Sequence, residues 1–268
     1  MQRRLLAFLT GLPVALLGGL IGLGGAEFRL PILTGLFGYQ VRAAVPLNLA
    51  VSLVTLMVSL IIRTRTTPLD MLLPHVDALA SLLAGSMLGA YLGTGLAGRI
   101  SDRVLEGVVF ALLLGVGLLL LFEAFVPFKS SGHALGLLVT LPVGLTIGTG
   151  IGIFSSLLGV AGGELLIPTL LLVFGLNVKL AGTGSALISL PTVVVGLLRW
   201  RARGALRNRA DLTEVVTPMA LGSVLGALLG GMLLAYAPTT ALKFGLGVIL
   251  LVSAAKSLRD ARQKHAAA

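Results

Sequence analysis

Apolar stretches separated by short polar loops run through the whole chain. Most of them approach or exceed the roughly 20 residues that a helix needs to cross the hydrocarbon core of a bilayer. The mean hydropathy of +1.05 agrees with this interpretation. The sequence therefore predicts an all-α, polytopic membrane protein with about eight transmembrane segments. The ten stretches are 5–23, 28–37, 45–62, 71–96, 104–122, 134–158, 165–176, 185–198, 215–235 and 242–258.

The ionisable residues are few and mostly basic, with 20 Lys and Arg against 10 Asp and Glu and a formal net charge of +10. In a soluble protein this balance would indicate a nucleic-acid partner. In a membrane protein, however, basic residues gather in cytoplasmic loops beside anionic lipid. We therefore expect membrane lipid and no nucleic acid as a partner. The chain has no cysteine, which excludes disulfides and thiol chemistry.

The two halves of the chain match each other without a gap at a constant spacing of 137 residues. This spacing relates Glu27 to Glu164 and Pro31 to Pro168, and it continues through glycines further along. A register held over so long a stretch indicates duplication, so we predict two homologous membrane repeats, 1–128 and 129–268. In each repeat a short apolar stretch follows a glycine cluster, and such interrupted segments at matching places mark the binding site of many transporters.

Loop charge leaves two topologies open. If every long stretch crosses the membrane and the short ones do not, Arg63 and Arg65 share a side with Arg3 and the Arg-rich loop 199–209. If each glycine-broken region is instead a re-entrant hairpin, the repeat is inverted and Arg63 and Arg65 move to the other side. Both topologies place the N- and C-termini in the cytoplasm by the positive-inside rule. We expect a multi-pass protein of the cell inner membrane.

Two glycine-rich strings stand at matching places: residues 22–31 read GLGGAEFRLP, and residues 159–168 read GVAGGELLIP. Glycine permits positive φ and brings bare backbone amides close to a ligand. A helix that restarts after the glycines offers its free amides and its positive dipole end to an anion. The alternative is that the glycines only kink and pack helices. We predict substrate binding at Gly24, Gly25, Ala26, Glu27, Gly162, Gly163 and Glu164.

These paired strings, their downstream prolines, the short apolar segments and the duplicated plan resemble the TauE/SafE family of membrane proteins. The resemblance covers essentially the whole chain, with one copy in each half. It implies export of sulfite or organosulfur anions. The chain departs from a run of three glycines in each copy, since Ala26 ends the first run and Ala161 begins the second. This departure concerns the substrate and leaves the predicted fold intact.

Glu27 and Glu164 are also candidates for proton coupling. A carboxylate inside a membrane is costly and usually functional, and removal from water favours its protonated form. The pair could bind and release protons in step with an anion, which would couple export to the proton gradient. The alternative is capping, because each glutamate stands where a helix begins and an acid there stabilises the helix dipole.

A polar face on the long stretch after each break is the third candidate. Asn48, Ser52 and Thr55 follow helical spacing and share one face. Neutral donors suit an oxyanion that must be held weakly enough to leave, so we predict substrate binding by Asn48 and Ser52. The alternative is hydrogen bonding between helices, which is common for Ser and Thr in membranes. The corresponding predicted residues of the second half are Ser185 and Ser189, with Thr183 and Thr192 nearby.

Two rows of glycines at four-residue spacing predict close helix packing. The rows are Gly85, Gly89 and Gly93, and Gly222, Gly226 and Gly230. The cations nearest to the broken segments are Arg29, Arg42 and Lys179. They could attract anions to the mouths of a pathway, but snorkelling to the membrane interface is the expected role.

The residues point to a membrane transporter that exports a small anion by alternating access between its two halves. An ion channel or a cation carrier, with the acidic pair as the ligand, stays open. An intramembrane enzyme using His75 with Asp70 or Asp77 also stays open. No metal-ligand or catalytic cluster recurs with the repeat, so we expect neither a metal nor another cofactor. Whether the protein forms a homo-oligomer is left open.

Overall fold

The computed structural model describes 2–21, 24–96 and 136–234, with short pieces at 114–115, 117–118, 121–122, 236, 238, 240–241, 244–245, 247–248, 251–252 and 255. The chain divides into two compact units. Unit 1 comprises Met1–Gly95 and Gly132–Tyr236, and unit 2 comprises Leu96–Ser131 and Ala237–Ala268. Each unit takes segments from both halves of the chain, so this division does not follow the boundary at residue 128. The homologous repeats 1–128 and 129–268 stay a prediction.

Unit 1 is built from long and short helices. A 3-10 turn, Leu69–His75, precedes α4, and the turns Arg209–Asp211 and Leu212–Val216 precede α8. The helices are α1 (Gln2–Ile21), α2 (Ala26–Gly35), α3 (Val41–Thr66), α4 (Val76–Leu96), α5 (Leu137–Leu158), α6 (Gly163–Leu172), α7 (Val178–Ala202) and α8 (Thr217–Leu233).

Among the described residues, six helical segments are long and apolar enough to cross a membrane. They contain α1, α3, α4, α5, α7 and α8. The all-α, multi-span prediction is therefore confirmed. The predicted spans 104–122 and 242–258 lie mostly outside the described residues. The count of about eight spans stays a prediction.

Left-handed glycines begin both short helices. Gly25 (φ 71°) precedes α2, and Gly162 (φ 79°) precedes α6. Side chains with a Cβ rarely adopt this conformation, whereas glycine adopts it readily. The glycine strings therefore explain why a long helix stops and a helix of 10 residues starts at each place. The helix restart predicted from the sequence is confirmed.

In the first half of the chain, α1 and α2 form a hairpin that opens towards one face of unit 1. We call this the N-face, because α1 begins there. Arg3 Nη2, near the start of α1, donates to the carbonyl of Phe37, just after α2, at 3.4 Å. At the other end of α1, the carbonyl of Gly19 accepts from Arg63 Nη1 of α3 at 3.1 Å. Helix α3 therefore runs from the N-face to the opposite face, and α4 runs back.

In the second half, α5 and α6 form a hairpin that opens towards the opposite face. The carbonyl of Lys179, at the start of α7, accepts from Arg63 Nη2 at 3.2 Å. At the end of α7, Arg203 Nη1 donates to the carbonyl of Thr94 near the end of α4. Helix α7 therefore runs from the opposite face to the N-face, against the direction of α3. The two hairpins have inverted orientations within unit 1.

The predicted glycine rows form two packing seams. Gly89 of α4 lies against Thr149 of α5, and Gly226 of α8 lies against Leu12 of α1. A Cβ at either glycine would overlap the carbonyl of the residue it faces. The close packing predicted from the spacing is thus confirmed. Successive glycines meet successive turns in the same direction, so α4 runs parallel to α5 and α8 runs parallel to α1.

The described pieces of unit 2 contain another close approach through glycine. A Cβ on Gly117 would lie 3.0 Å from Leu251 Cδ2, and one on Gly247 would lie 2.8 Å from Leu121 Cγ. Two helical pieces of unit 2 therefore pack through small residues, as helices in membranes commonly do.

Candidate functional site

The two helix breaks meet in the interior of unit 1. A Cβ placed on Gly24 would lie 3.6 Å from the Cβ of Ala161, which occupies the matching place in the other break. Asn48 bridges the breaks, since its Nδ2 donates to the carbonyls of Ala26 at 2.7 Å and Gly159 at 2.9 Å. Each half therefore contributes one break to one buried site. The predicted residues Gly24, Gly25, Ala26, Asn48, Ser52, Gly162, Gly163, Glu164, Ser185 and Ser189 are all buried.

Arg29, one turn into α2, is held beside this bridge. Its side chain is 0% exposed. Nε donates to Asn48 Oδ1 at 3.1 Å, and Nη1 donates to Thr55 Oγ1 at 3.0 Å. Nη2 donates to Ser52 Oγ at 2.7 Å and to the carbonyl of Gly24 at 2.8 Å. Three side chains of α3 and one carbonyl of the first break therefore orient the guanidinium.

The position of Arg29 corrects the expectation that it snorkels to the membrane interface. It lies among the polar residues of α3 because α2 begins inside unit 1. Phe37, just beyond the outer end of α2, is eight residues further on, roughly 12 Å at the helical rise of 1.5 Å per residue. The sequence signal that points towards this burial is the place of Arg29 within the glycine-rich string 22–31, one turn after the predicted helix break. Arg42 is exposed and Lys179 is partly buried, each at the start of a long helix.

The second half has no arginine at the position that matches Arg29. Leu166 stands 137 residues after Arg29 and is buried. Ser185 and Ser189 of α7 are fully buried. Within the described part of the chain, their Oγ atoms have no hydrogen-bond partner. A buried hydroxyl without a hydrogen-bond partner is costly, so these two serines are candidates to donate to a bound ligand.

The two glutamates begin the short helices. Glu164 lies in the first turn of α6 and is 3% exposed. An acid in this position stabilises the helix dipole, so its placement fits both predicted roles, capping and proton binding. Glu27 lies in the first turn of α2 by its backbone, and its side chain is outside the described part. The N-cap positions are held by Gly25 and Gly162, which have no side chain to cap the first amides of α2 and α6.

A comparison with known protein families shows the family to which this chain belongs. The family model described as sulfite exporter TauE/SafE matches residues 6–207 and 144–268. The chain belongs to the TauE/SafE sulfite exporter family. Comparisons with curated proteins and with solved structures find no match. The resemblance seen in the sequence is therefore confirmed, and the protein is a multi-pass membrane protein of a transporter family.

A second buried arginine joins the two halves of this TauE/SafE protein at the face opposite the N-face. Arg63 of α3 is 0% exposed and donates to the carbonyls of Gly19 in α1 and Lys179 in α7. Its Nε also donates to Thr183 Oγ1 at 3.4 Å. The last carbonyls of a helix have no partner within it, so a cation at the end of α1 offsets the negative end of the dipole.

At the N-face of the TauE/SafE protein, two arginines of α7 and the following turn contact the end of α4. The Arg199 guanidinium lies 3.7 Å from the centroid of the Tyr91 ring. Arg203 donates to the carbonyl of Thr94. Cations bound to the C-terminal carbonyls of a helix stabilise it. Each face of unit 1 therefore has its own arginine contacts between the first and second halves of the chain.

The residues of the enzyme alternative lie elsewhere in the TauE/SafE protein. Asp70 and His75 belong to the 3-10 turn that follows α3, and Asp77 is in the first turn of α4. Asp70 and Asp77 are exposed at the face opposite the N-face. These three residues are therefore separate from the interior site where the two breaks meet.

Proposed function

We propose that this protein exports a small anion, sulfite or an organosulfonate, across the cell inner membrane. The observation that carries the proposal is the meeting of two helix starts, one from each half, beside the buried Arg29. Helix starts present free amides and a positive dipole end, both of which favour an anion. Membership of the sulfite exporter family supports the class of substrate.

The proposed mechanism is alternating access between two homologous halves. Arg63 links the halves at one face, and Arg203 links them at the N-face. Separation of one set of contacts while the other holds would expose the breaks to one side at a time. The inverted hairpins support this mechanism, because each face of unit 1 then has a hairpin of its own. The overlap of the two family matches at 144–207 supports the duplication.

The N-face is proposed to lie in the cytoplasm. Arg3, Arg199 and Arg203 are at this face, and basic residues mark the cytoplasmic side of membrane proteins. The chain's N-terminus is then cytoplasmic. The predicted cytoplasmic C-terminus lies outside the described residues.

Purified protein in proteoliposomes tests the function. Vesicles loaded with sulfite are expected to release it faster than protein-free vesicles, and external methanesulfonate is expected to compete. Ser189→Ala removes a proposed donor and should slow release by up to about tenfold. Ser86→Ala is the matched control, since its hydroxyl is equally buried and its backbone lies at the α4–α5 seam. A flux of sodium or divalent cations, with no anion flux, would favour a cation carrier and refute the proposal.

Proton coupling through Glu27 or Glu164 is part of the proposed mechanism. Carboxylates inside a membrane commonly serve proton relays. In the same vesicles, an imposed pH gradient is expected to drive sulfite release by the wild type. Glu27→Gln or Glu164→Gln should abolish this response while exchange without a gradient persists. An unaltered response in both variants would remove the coupling and leave anion export in place.

A further inference from the structure

We propose that Arg29 is the residue that recognises the anion, which rests on the proposed export function. The ligand is an oxyanion with two or more oxygens, such as sulfite or a sulfonate. The guanidinium of arginine is a planar fork that can donate to two such oxygens at once. A halide is a single atom and cannot accept from both arms of the fork in this way, so the same group distinguishes oxyanions from chloride.

The burial and charge of Arg29 support this role. A cation removed from water inside a membrane is costly and usually functional, and Arg29 is 0% exposed one turn from the first break. Its hydrogen bonds to Asn48, Ser52 and Thr55 fix the orientation of the guanidinium. The positive end of the α2 dipole lies on the same side of the site.

One hydrogen bond of Arg29 reaches the break itself. Nη2 donates both to the carbonyl of Gly24 and to Ser52 Oγ. An anion oxygen that accepts from Nη2 competes with the Gly24 carbonyl. Gly24 also lies against Ala161 of the second break. Anion binding therefore competes with a bond inside the first break, at the point where this break lies against the second.

The second break has no arginine at the matching position. Leu166 occupies this position and offers no side-chain donor. The buried site therefore has a guanidinium from the first half only. We expect one oxyanion per chain rather than one per repeat.

Trp200 provides a readout of binding that does not depend on transport. It is the single tryptophan of the sequence, and its Nε1 donates to the carbonyl of Ser156 at 3.1 Å. Its ring packs against the cluster that contains Ala26 and Ala161, one residue from each break. Titration of the purified protein with sulfite, methanesulfonate or chloride is expected to change its fluorescence. The two oxyanions should bind with a stoichiometry of one per chain, and chloride should bind more weakly.

Three variants test the role of Arg29. Arg29→Leu installs the side chain of the matching position and should raise the Kd for both oxyanions at least about tenfold. Arg29→Lys keeps the charge without the fork and should give an intermediate Kd. Arg65→Leu is the control for loss of charge, because it removes an arginine of the same helix α3 at an exposed position in its last turn. Its Kd should equal that of the wild type, whatever it does to thermal stability.

The outcomes separate this inference from the proposed function. A folded Arg29→Leu protein with the wild-type Kd, or two oxyanions bound per chain, overturns the inference and leaves anion export standing. Wild-type protein that neither binds nor transports any oxyanion overturns the proposed function. If Arg29→Leu does not fold, Thr55→Val replaces it as the test. That variant keeps the charge, removes one orienting hydroxyl and should raise Kd about threefold; an unchanged Kd overturns the inference.

Discussion

Tyr39 connects two segments of the chain at the N-face by a hydrogen bond. Its phenol donates to Asp211 Oδ1 at 2.6 Å. Burial, followed by this hydrogen bond, raises the pKa of Tyr39 from 10.0 to about 12. The phenol therefore keeps its proton at neutral pH and donates without interruption. The bond joins the turn between α2 and α3 to the helical turn that precedes α8.

Replacement of Tyr39 by phenylalanine tests this contact. A group whose pKa is higher in the folded protein contributes stability below its unfolded pKa and loses it as the pH rises through the folded pKa. Tyr39→Phe should lower the free energy of unfolding by about 1 kcal/mol or less at neutral pH. The difference from wild type should shrink between pH 10.0 and about 12. Thermal melts of both proteins across pH measure it, and a difference that grows above pH 10.0 would contradict the assignment.

At the same scale, part of the candidate site was predictable. Helical periodicity alone placed Asn48, Ser52 and Thr55 on one face, and the structure brings all three to one guanidinium. The burial of Arg29 was not predictable in this way. Periodicity orders the residues of one helix but does not say which side chain of another helix faces them. That depends on the depth at which α2 begins, which is a consequence of tertiary packing.

Among the elements, the seam between α4 and α5 offers a direct test. A Cβ on Gly89 would overlap the carbonyl of Thr149, so Gly89→Ala must push the two helices apart. We expect a loss of about 1–3 kcal/mol in stability. Gly150 is the matched control, because it lies in α5 with open space around its Cβ position. Gly150→Ala should not destabilise, since alanine favours helix over glycine. Equal melting temperatures for the two variants would refute the seam.

The helices also show which features of the fold could be predicted from the sequence. The breaks at Gly25 and Gly162 were predictable because the effect of glycine on φ is local. The seams were predictable because small residues at four-residue spacing form one ridge. The directions of the helices were not predictable, because the charges of the loops agree equally well with two topologies. Contacts distant in sequence, such as Arg63 with Lys179, decide these directions.

At the scale of the membrane topology, the positions of the arginines in unit 1 favour re-entrant hairpins. Arg63 and Arg65 lie at the end of α3, opposite the face that holds Arg3 and Arg203. This distribution is the one expected if the repeat is inverted. The two breaks then approach the interior from opposite faces, which gives each side of the membrane a hairpin that could move on its own.

The absence of cysteine from the sequence makes this topology measurable, because a single-cysteine variant carries one thiol. Gln40, Asp70 and Arg207 are exposed positions in turns between helices. Gln40 and Arg207 lie at the N-face and Asp70 at the opposite face. In intact cells, a maleimide that cannot cross the membrane should label Asp70→Cys and neither of the other two variants. After the cells are permeabilised, all three should react, which controls for access to the thiol.

The other topology makes the reverse prediction for two of these positions. If every long apolar stretch crosses the membrane and the short ones do not, Gln40 lies outside and Asp70 lies in the cytoplasm. Arg207 is cytoplasmic in both topologies and therefore serves as the internal control. Labelling of Gln40→Cys but not Asp70→Cys in intact cells would rule out the inverted hairpins. The alternating-access mechanism would then lose its structural basis, because both breaks would be reached from the same side.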